Sequence, residues 1–143
     1  MVAAQEKVLG KYDTNLAASY HHLSIIYNKM GNLPLALEYQ QKTVVIFEKV
    51  LDKDHPDLAS SYNNLSVIYY KIGDIEQAAV YIDKTLHIWQ HCLPNDHPSL
   101  VIALKSKKLI KFTQLLQAQD MQSIMADEEM KELFIDMEEK NKK

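Results

Sequence analysis

The sequence predicts an all-α solenoid of antiparallel helical hairpins, closed at its C-terminal end by a capping helix segment. Three observations predict it. The chain matches itself at an offset of 42 residues: Leu16, Tyr20, Leu23, Ile26, Tyr27, Gly31, Ala36, Tyr39, Lys42 and Thr43 meet Leu58, Tyr62, Leu65, Ile68, Tyr69, Gly73, Ala78, Tyr81, Lys84 and Thr85. Self-similarity at a fixed period of this size marks units that bury their apolar faces by stacking. Within each unit the apolar residues recur at three- and four-residue spacing, the pattern of one buried helical face. Only three glycines and four prolines in 143 residues leave little material for a turn-rich β fold.

Residues 1–10 read as the end of a repeat, because Glu6-Lys7-Val8-Leu9 is identical to Glu48-Lys49-Val50-Leu51 in the same register. The expectation is a half-repeat that caps the array, or the end of a unit in a longer array. Leu16 to Met30 follows as the first full helix, burying Leu16, Tyr20, Leu23, Ile26 and Tyr27. Gly31-Asn32 ends it, since both residues tolerate the left-handed conformation of a helix C-terminus. Leu33 to Val50 is the second helix, with Pro34 harmless in a first turn whose N–H groups lack partners anyway. A break this short between two such helices makes an antiparallel hairpin.

The connector Leu51–Pro56 recurs as Leu93–Pro98, each copy ending Asp-His-Pro. Asp57 and Ser99 then fall in the first helical turn, where an acid or hydroxyl suits the helix N-terminus. A catalytic Asp-His pair is the competing reading, and neighbours in a capping turn rarely converge on a substrate. Ala59 to Ile72, Gly73-Asp74 and Ile75 to His91 repeat the hairpin.

The run Tyr62, Leu65, Ser66, Tyr69, Gly73, Ala78, Thr85 and Leu86 resembles the tetratricopeptide repeat. The 42-residue period with its His-Pro connector is similar to the subfamily of kinesin light chains and nephrocystins. This resemblance covers Ala4 to about Ile110 and implies a right-handed superhelix whose first helices line a concave, partner-binding groove. Ser24 and Ser66 stand where that family usually has glycine or alanine, and Thr43 and Thr85 replace an alanine. All four are small enough for close helix packing.

The third copy begins at Leu100 and breaks the pattern. Lys107, Lys108 and Lys111 replace the residues that would pack on a second helix, and three ammonium groups cannot be buried there. Leu104, Leu109 and Ile110 stay apolar. One face packing and the other solvated is the requirement of a terminal cap; a basic recognition patch is the alternative. The expected array is residues 1–112: half-repeat 1–10, repeats 16–50 and 58–92, and capping helix 98–112. Residues 113–143 form a helical acidic extension. In it Met130, Leu133, Phe134 and Met137 make an apolar stripe, suited to docking on the last hairpin or to binding a partner.

Composition excludes several functions. All sixteen basic residues are lysines, and the net charge is −3. Without arginine, the favoured group for phosphate and guanine, nucleic acid is not an expected partner. Up to Met125 lysines and acids balance at twelve each, so the whole net charge sits in the tail. One cysteine, Cys92, forms no internal disulfide, which suits a reducing compartment. No run is long and apolar enough for a bilayer, and the first residues carry no apolar signal core. The expected address is cytoplasmic, with cytoskeleton or cilium as variants, and no membrane partner.

No phosphate loop, nucleophile elbow, HExxH or CxxC pattern occurs, so the chain reads as no enzyme, with no cofactor. His87 and His91, four apart, have no third metal ligand within sight, and Cys92 aligns with Val50 as a packing position; no metal site is expected. His21 and His22 are adjacent and point about 100° apart on a helix.

The groove is the candidate site. His21, His22, Ile25, Asn28 and Lys29 line it from the first repeat. Asn63, Asn64, Val67, Tyr70 and Lys71 line it from the second, with Lys105 and Phe112 from the third helix. Amides suit a peptide backbone, Tyr70 and Phe112 an anchor side chain, and the lysines acidic groups. The family's two-carboxylate clamp is not matched: of His21, Ile25, Asn64, Ile102 and Ser106, only Asn64 fits. Kinesin-light-chain grooves take peptides with an aromatic or leucine flanked by acids, which Asn63, Asn64 and Lys71 suit. The expected partner is therefore a protein or peptide with acidic and apolar residues. The chain's own tail, Glu132-Leu133-Phe134-Ile135-Asp136, has that character. The alternative is an array segment stacking end to end in a larger assembly, cytoskeletal or ciliary, with the groove unused.

Overall fold

The computed structural model describes residues 13–142; the half-repeat expected at 1–10 lies outside them. The described residues form seven helices and no strand. Two hairpins come first, α1 (Thr14–Met30) with α2 (Leu33–Val50), then α3 (Pro56–Ile72) with α4 (Ile75–Cys92). They are followed by α5 (Pro98–Gln117), the short α6 (Met121–Ala126) and α7 (Glu128–Asn141). No helix among the described residues is long and apolar enough to cross a membrane.

The helix ends follow from local chemistry. Gly31 and Gly73 close α1 and α3 at φ +82° and +100°, a left-handed conformation that a Cβ would strain. Asn32 and Asp74 then cap α2 and α4, each accepting from a backbone N–H three residues on. In the Asp-His-Pro connectors the capping group is the histidine. His55 Nδ1 accepts from the Asp57 N–H at 3.0 Å and His97 Nδ1 from the Ser99 N–H at 3.1 Å. The capping role foreseen for the connector holds, and an imidazole lone pair carries it. His55→Ala is expected to lower stability by about 1 kcal/mol, as for other lost N-caps, and His55→Asp to retain most of it; urea unfolding measures both.

Small hydroxyls pin each hairpin. Ser24 donates to the Ala36 carbonyl at 2.9 Å and Ser66 to the Ala78 carbonyl at 2.8 Å, all inside the core. Thr43 lies 3.4 Å from the Ala17 carbonyl and Thr85 3.4 Å from that of Ala59. The pairs 24–36 and 17–43 run in opposite directions, so the hairpin is antiparallel. The family departures at these positions thus supply cross-helix hydrogen bonds in addition to fitting. Tyrosines form a second repeated device. Tyr39 stacks on Tyr27 and tilts against Tyr20, with the Lys42 ammonium over the pair; Tyr81, Tyr69, Tyr62 and Lys84 copy the arrangement.

The main core joins Val44, Leu58, Leu65, Ile82, Leu86, Trp89, Leu100 and Ile110, binding α3–α4 to α2 on one side and α5 on the other. Here four expectations are corrected. Ile26 is 52% exposed where its counterpart Ile68 is fully buried, because α2 covers α3 while no described helix covers that face of α1. Leu104 and Leu109 stay exposed; Leu100, Ala103 and Ile110 make the contact instead. Cys92 is exposed rather than packed, at the end of α4, its thiol 3.3 Å from the Asp54 carbonyl. The capping helix runs five residues past Phe112, to Gln117.

The lysine face of α5 is not simply solvated either. Lys107 pairs with Asp83 at 3.0 Å, and Lys108 with Glu129 at 3.3 Å and Asp127 at 3.5 Å. The acidic extension folds back on α5 and seals a third core of Phe112, Ile124 and Met130, flanked by Leu115, Leu116 and Phe134.

Candidate peptide-binding groove

Side-chain hydrogen bonds join the first helices α1, α3 and α5 along one face, and the residues expected to line a groove are carried on these three helices. Three cross-links tie this face together. Lys71 Nζ donates to Asn28 Oδ1 at 2.9 Å, Tyr70 Oη meets Thr113 Oγ1 at 3.1 Å, and Asn64 Nδ2 reaches Ser24 Oγ at 3.4 Å. Two hollows open between them. One of about 140 Å³ is lined by Ala18, His21, His22 and Ser60; the other, about 110 Å³, by Val67, Tyr70, Lys71 and Leu109.

The expected residues divide into two groups. His22, Lys29, Lys71 and Lys105 are exposed, and Ile25, Asn63 and Val67 are half-buried, so these seven offer surface to a ligand. The other five have partners within the chain: Asn28 bonds Lys71 at the surface, Tyr70 bonds Thr113, Phe112 sits in the tail core, and Asn64 and His21 meet Gln40. Gln40, fully buried on α2, donates from Nε2 to the Ser61 carbonyl at 2.9 Å. Its Oε1 accepts from Asn64 Nδ2 at 2.8 Å and faces His21 Nδ1 at 3.2 Å. Asn64 therefore joins the two hairpins, while His21 is tied to α2 within its own hairpin, each through one side-chain nitrogen. Burial holds the His21 imidazole below its ordinary pKa; the bond to Gln40 opposes that shift and the nearby His22 adds to it.

Phe112 is corrected as an open anchor. It is 5% exposed, because Ile124 and Met130 of the folded-back tail cover it. Sequence periodicity could not place it, since the repeat is lost at that residue. What replaces it at this end is a hollow of about 380 Å³ where Lys105, Lys108 and Leu109 face Glu129, Glu132 and Leu133 of α7.

Two features were missed by reading the first helices alone. Gln40 is one; a buried glutamine where the other repeat has Ile82 was its only signal. The second is a crevice of about 500 Å³ between the hairpins, where α2, the connector and α4 diverge, lined by Glu48, Lys53, Tyr62, Asp83, Lys84 and His87. There Tyr62 donates to Glu48 at 2.6 Å, and burial, then that carboxylate, raises the phenol's pKa. Its charges are mixed and no motif marks it. Among the described residues, no three His, Cys, Asp or Glu side chains group as metal ligands.

Comparison with known proteins agrees with this architecture. Residues 15–91, more than half of the chain, match the family described as Tetratricopeptide repeat. No curated protein matches the chain. Among solved structures, a Podosopora anserina chain described as a kinesin light chain with nearly identical TPR-like repeats superposes with a TM-score of 0.76 at 24% identity. That match covers 97% of this chain and 63% of the other. BtubC (BKLC) from P. vanneervenii gives 0.73 at 20% identity, over 96% of this chain and 54% of that one. This chain thus spans less than two thirds of the length of either. With its two pinned hairpins, left-handed glycine stops and histidine-capped connectors, the chain belongs to the tetratricopeptide repeat family and has the fold of kinesin-light-chain-like repeats.

Proposed function

We propose that the face shared by α1, α3 and α5 binds a peptide or partner segment carrying acidic and apolar residues, and that the chain is a scaffold without catalytic activity, working in the cytoplasm. Proteins of this repeat family generally serve as protein–protein interaction scaffolds. One observation carries the finer reading. The chain's own acidic helix α7 sets Glu129, Glu132 and Leu133 against Lys105, Lys108 and Leu109 at the end of this face. It thereby presents the ligand chemistry proposed for a partner: a leucine between acids over lysines.

The test uses charge reversal at exposed positions. Asn64→Ala and Tyr70→Ala are unsuitable probes, since Asn64 bonds the buried Gln40 across the hairpins and Tyr70 ties α3 to α5, whereas the Lys71–Asn28 bond lies at the solvent surface. Lys71→Glu with Lys105→Glu is expected to weaken capture of a synthetic 126–143 peptide by roughly tenfold or more while leaving the helical circular dichroism intact. Deleting residues 126–143 is expected to raise the affinity for that peptide by vacating the α5 end. Unchanged affinity would reduce α7 to a cap.

A second reading, end-to-end stacking with the groove unused, is favoured by Ile26 and Met30, 52% and 70% exposed on one flank of α1. If partner capture is lost with Ile26→Glu and survives the lysine reversals, stacking is the function.

A further inference from the structure

The buried Gln40 dictates the hydrogen-bonding polarity of the hollow beside it. The Ser61 carbonyl can only accept, so the group 2.9 Å from it is the Gln40 amide nitrogen, and Oε1 must point the other way. Oε1 carries no proton, so its 3.2 Å contact with His21 Nδ1 is a hydrogen bond only when Nδ1 bears the hydrogen. In the neutral ring that leaves Nε2 as a lone-pair acceptor. Burial, which disfavours the charged form, keeps the ring neutral further into the acid range than a free histidine. The same side chain lines the 140 Å³ hollow between α1 and α3.

We propose that His21 Nε2 is a specificity-determining acceptor in the groove: at neutral pH it takes a hydrogen bond from a ligand N–H or O–H, a backbone amide or a neutral polar side chain. The role rests on the groove being the peptide site and gives that site a direction. The ligand's donor lies at the α1–α3 hollow and its acids toward Lys71 and Lys105. The titratable groups around the ring are His22, next on α1, and Asp57, which lines the hollow from α3. From α2 come Gln40 and Phe47, neither of which titrates. When the ring is protonated, Nε2 becomes a donor, with Asp57 on the same hollow as a candidate acceptor, and a ligand donor is turned away. Affinity therefore falls as the ring protonates, at a pH below that at which a free histidine does so, because burial lowers its pKa.

Two-bond ¹H–¹⁵N correlation spectra of the uniformly labelled full chain at pH 7.5 test the first step without any ligand. His21, assigned through His21→Asn, is expected as the Nδ1–H tautomer. Gln40→Ile, which copies Ile82 of the second hairpin, is expected to release it. A dominant Nε2–H tautomer in the wild type overturns the proposal. The synthetic 126–143 peptide is then titrated in. The His21 Nε2 resonance is expected to shift as it accepts a bond, and His21→Phe to weaken binding about fivefold, the net worth of one hydrogen bond. Binding that perturbs Lys71 and Lys105 but leaves Nε2 and its pH dependence unmoved refutes the role of His21 and spares the groove. A peptide that perturbs neither set refutes both.

Discussion

Ile68→Ala is expected to destabilise the chain by about 2–5 kcal/mol, whereas Ile26→Ala, the same substitution one repeat earlier, is expected to cost well under about 1 kcal/mol. The residues are in register and chemically identical. Their environments differ: Ile68 is completely enclosed between the hairpins, and Ile26 keeps about half its surface in water. Removing Ile68 deletes buried methyl groups and leaves a cavity that rigid neighbours on α2 and α4 fill only in part. Urea unfolding followed by circular dichroism gives both values. An equal, large loss at Ile26 would mean that this flank of α1 is covered in solution, and would strengthen the stacking reading.

Phe112→Ala is the second large effect, about 3–5 kcal/mol if the whole loss is felt locally. Its distribution is more telling than its size. In a solenoid each unit contacts only its neighbours, so stability is a sum of local terms. Phe112 holds Ile124 and Met130 against α5, and the ion pairs of Lys108 are too exposed to hold α7 by themselves. Native-state hydrogen exchange is expected to show α6 and α7 losing protection while α1 to α4 keep theirs. Uniform loss along the chain would show instead that the tail core is coupled to both hairpins. The variant also frees α7, and so links the cap to the occupancy of the groove.

Most of the fold was legible because the chain states it twice. The 42-residue match fixed both hairpins, the glycine stops and the connectors to within a few residues, and α2 to the residue. What escaped depended on neighbours that periodicity does not name. Asn64 sits on the groove face of its helix, yet its amide turns inward because a buried acceptor, Gln40, waits 24 residues earlier on another helix. His55 was legible as part of a capping turn but not as the cap, since that needs a particular ring nitrogen at a particular N–H. Phe112 looked open because the residues that cover it, Ile124 and Met130, lie where the repeat has ended. The exposure of His22, Lys29, Lys71 and Lys105 was legible because a solvated stripe on a periodic helix needs no long-range information.

Near-copies within one chain carry a hazard during folding, because one copy can dock where the other belongs. The joint between the two hairpins guards against it. His21, Gln40 and Asn64 correspond in register to Asn63, Ile82 and Ser106. Were α4 to seat itself in the place of α2, Ile82 would offer no acceptor, and the half-buried His21 and Asn64 would each lose a hydrogen bond worth about 1 kcal/mol. One glutamine thus makes an otherwise degenerate set of surfaces readable in a single order, a key that lets the chain assemble its own copies in sequence.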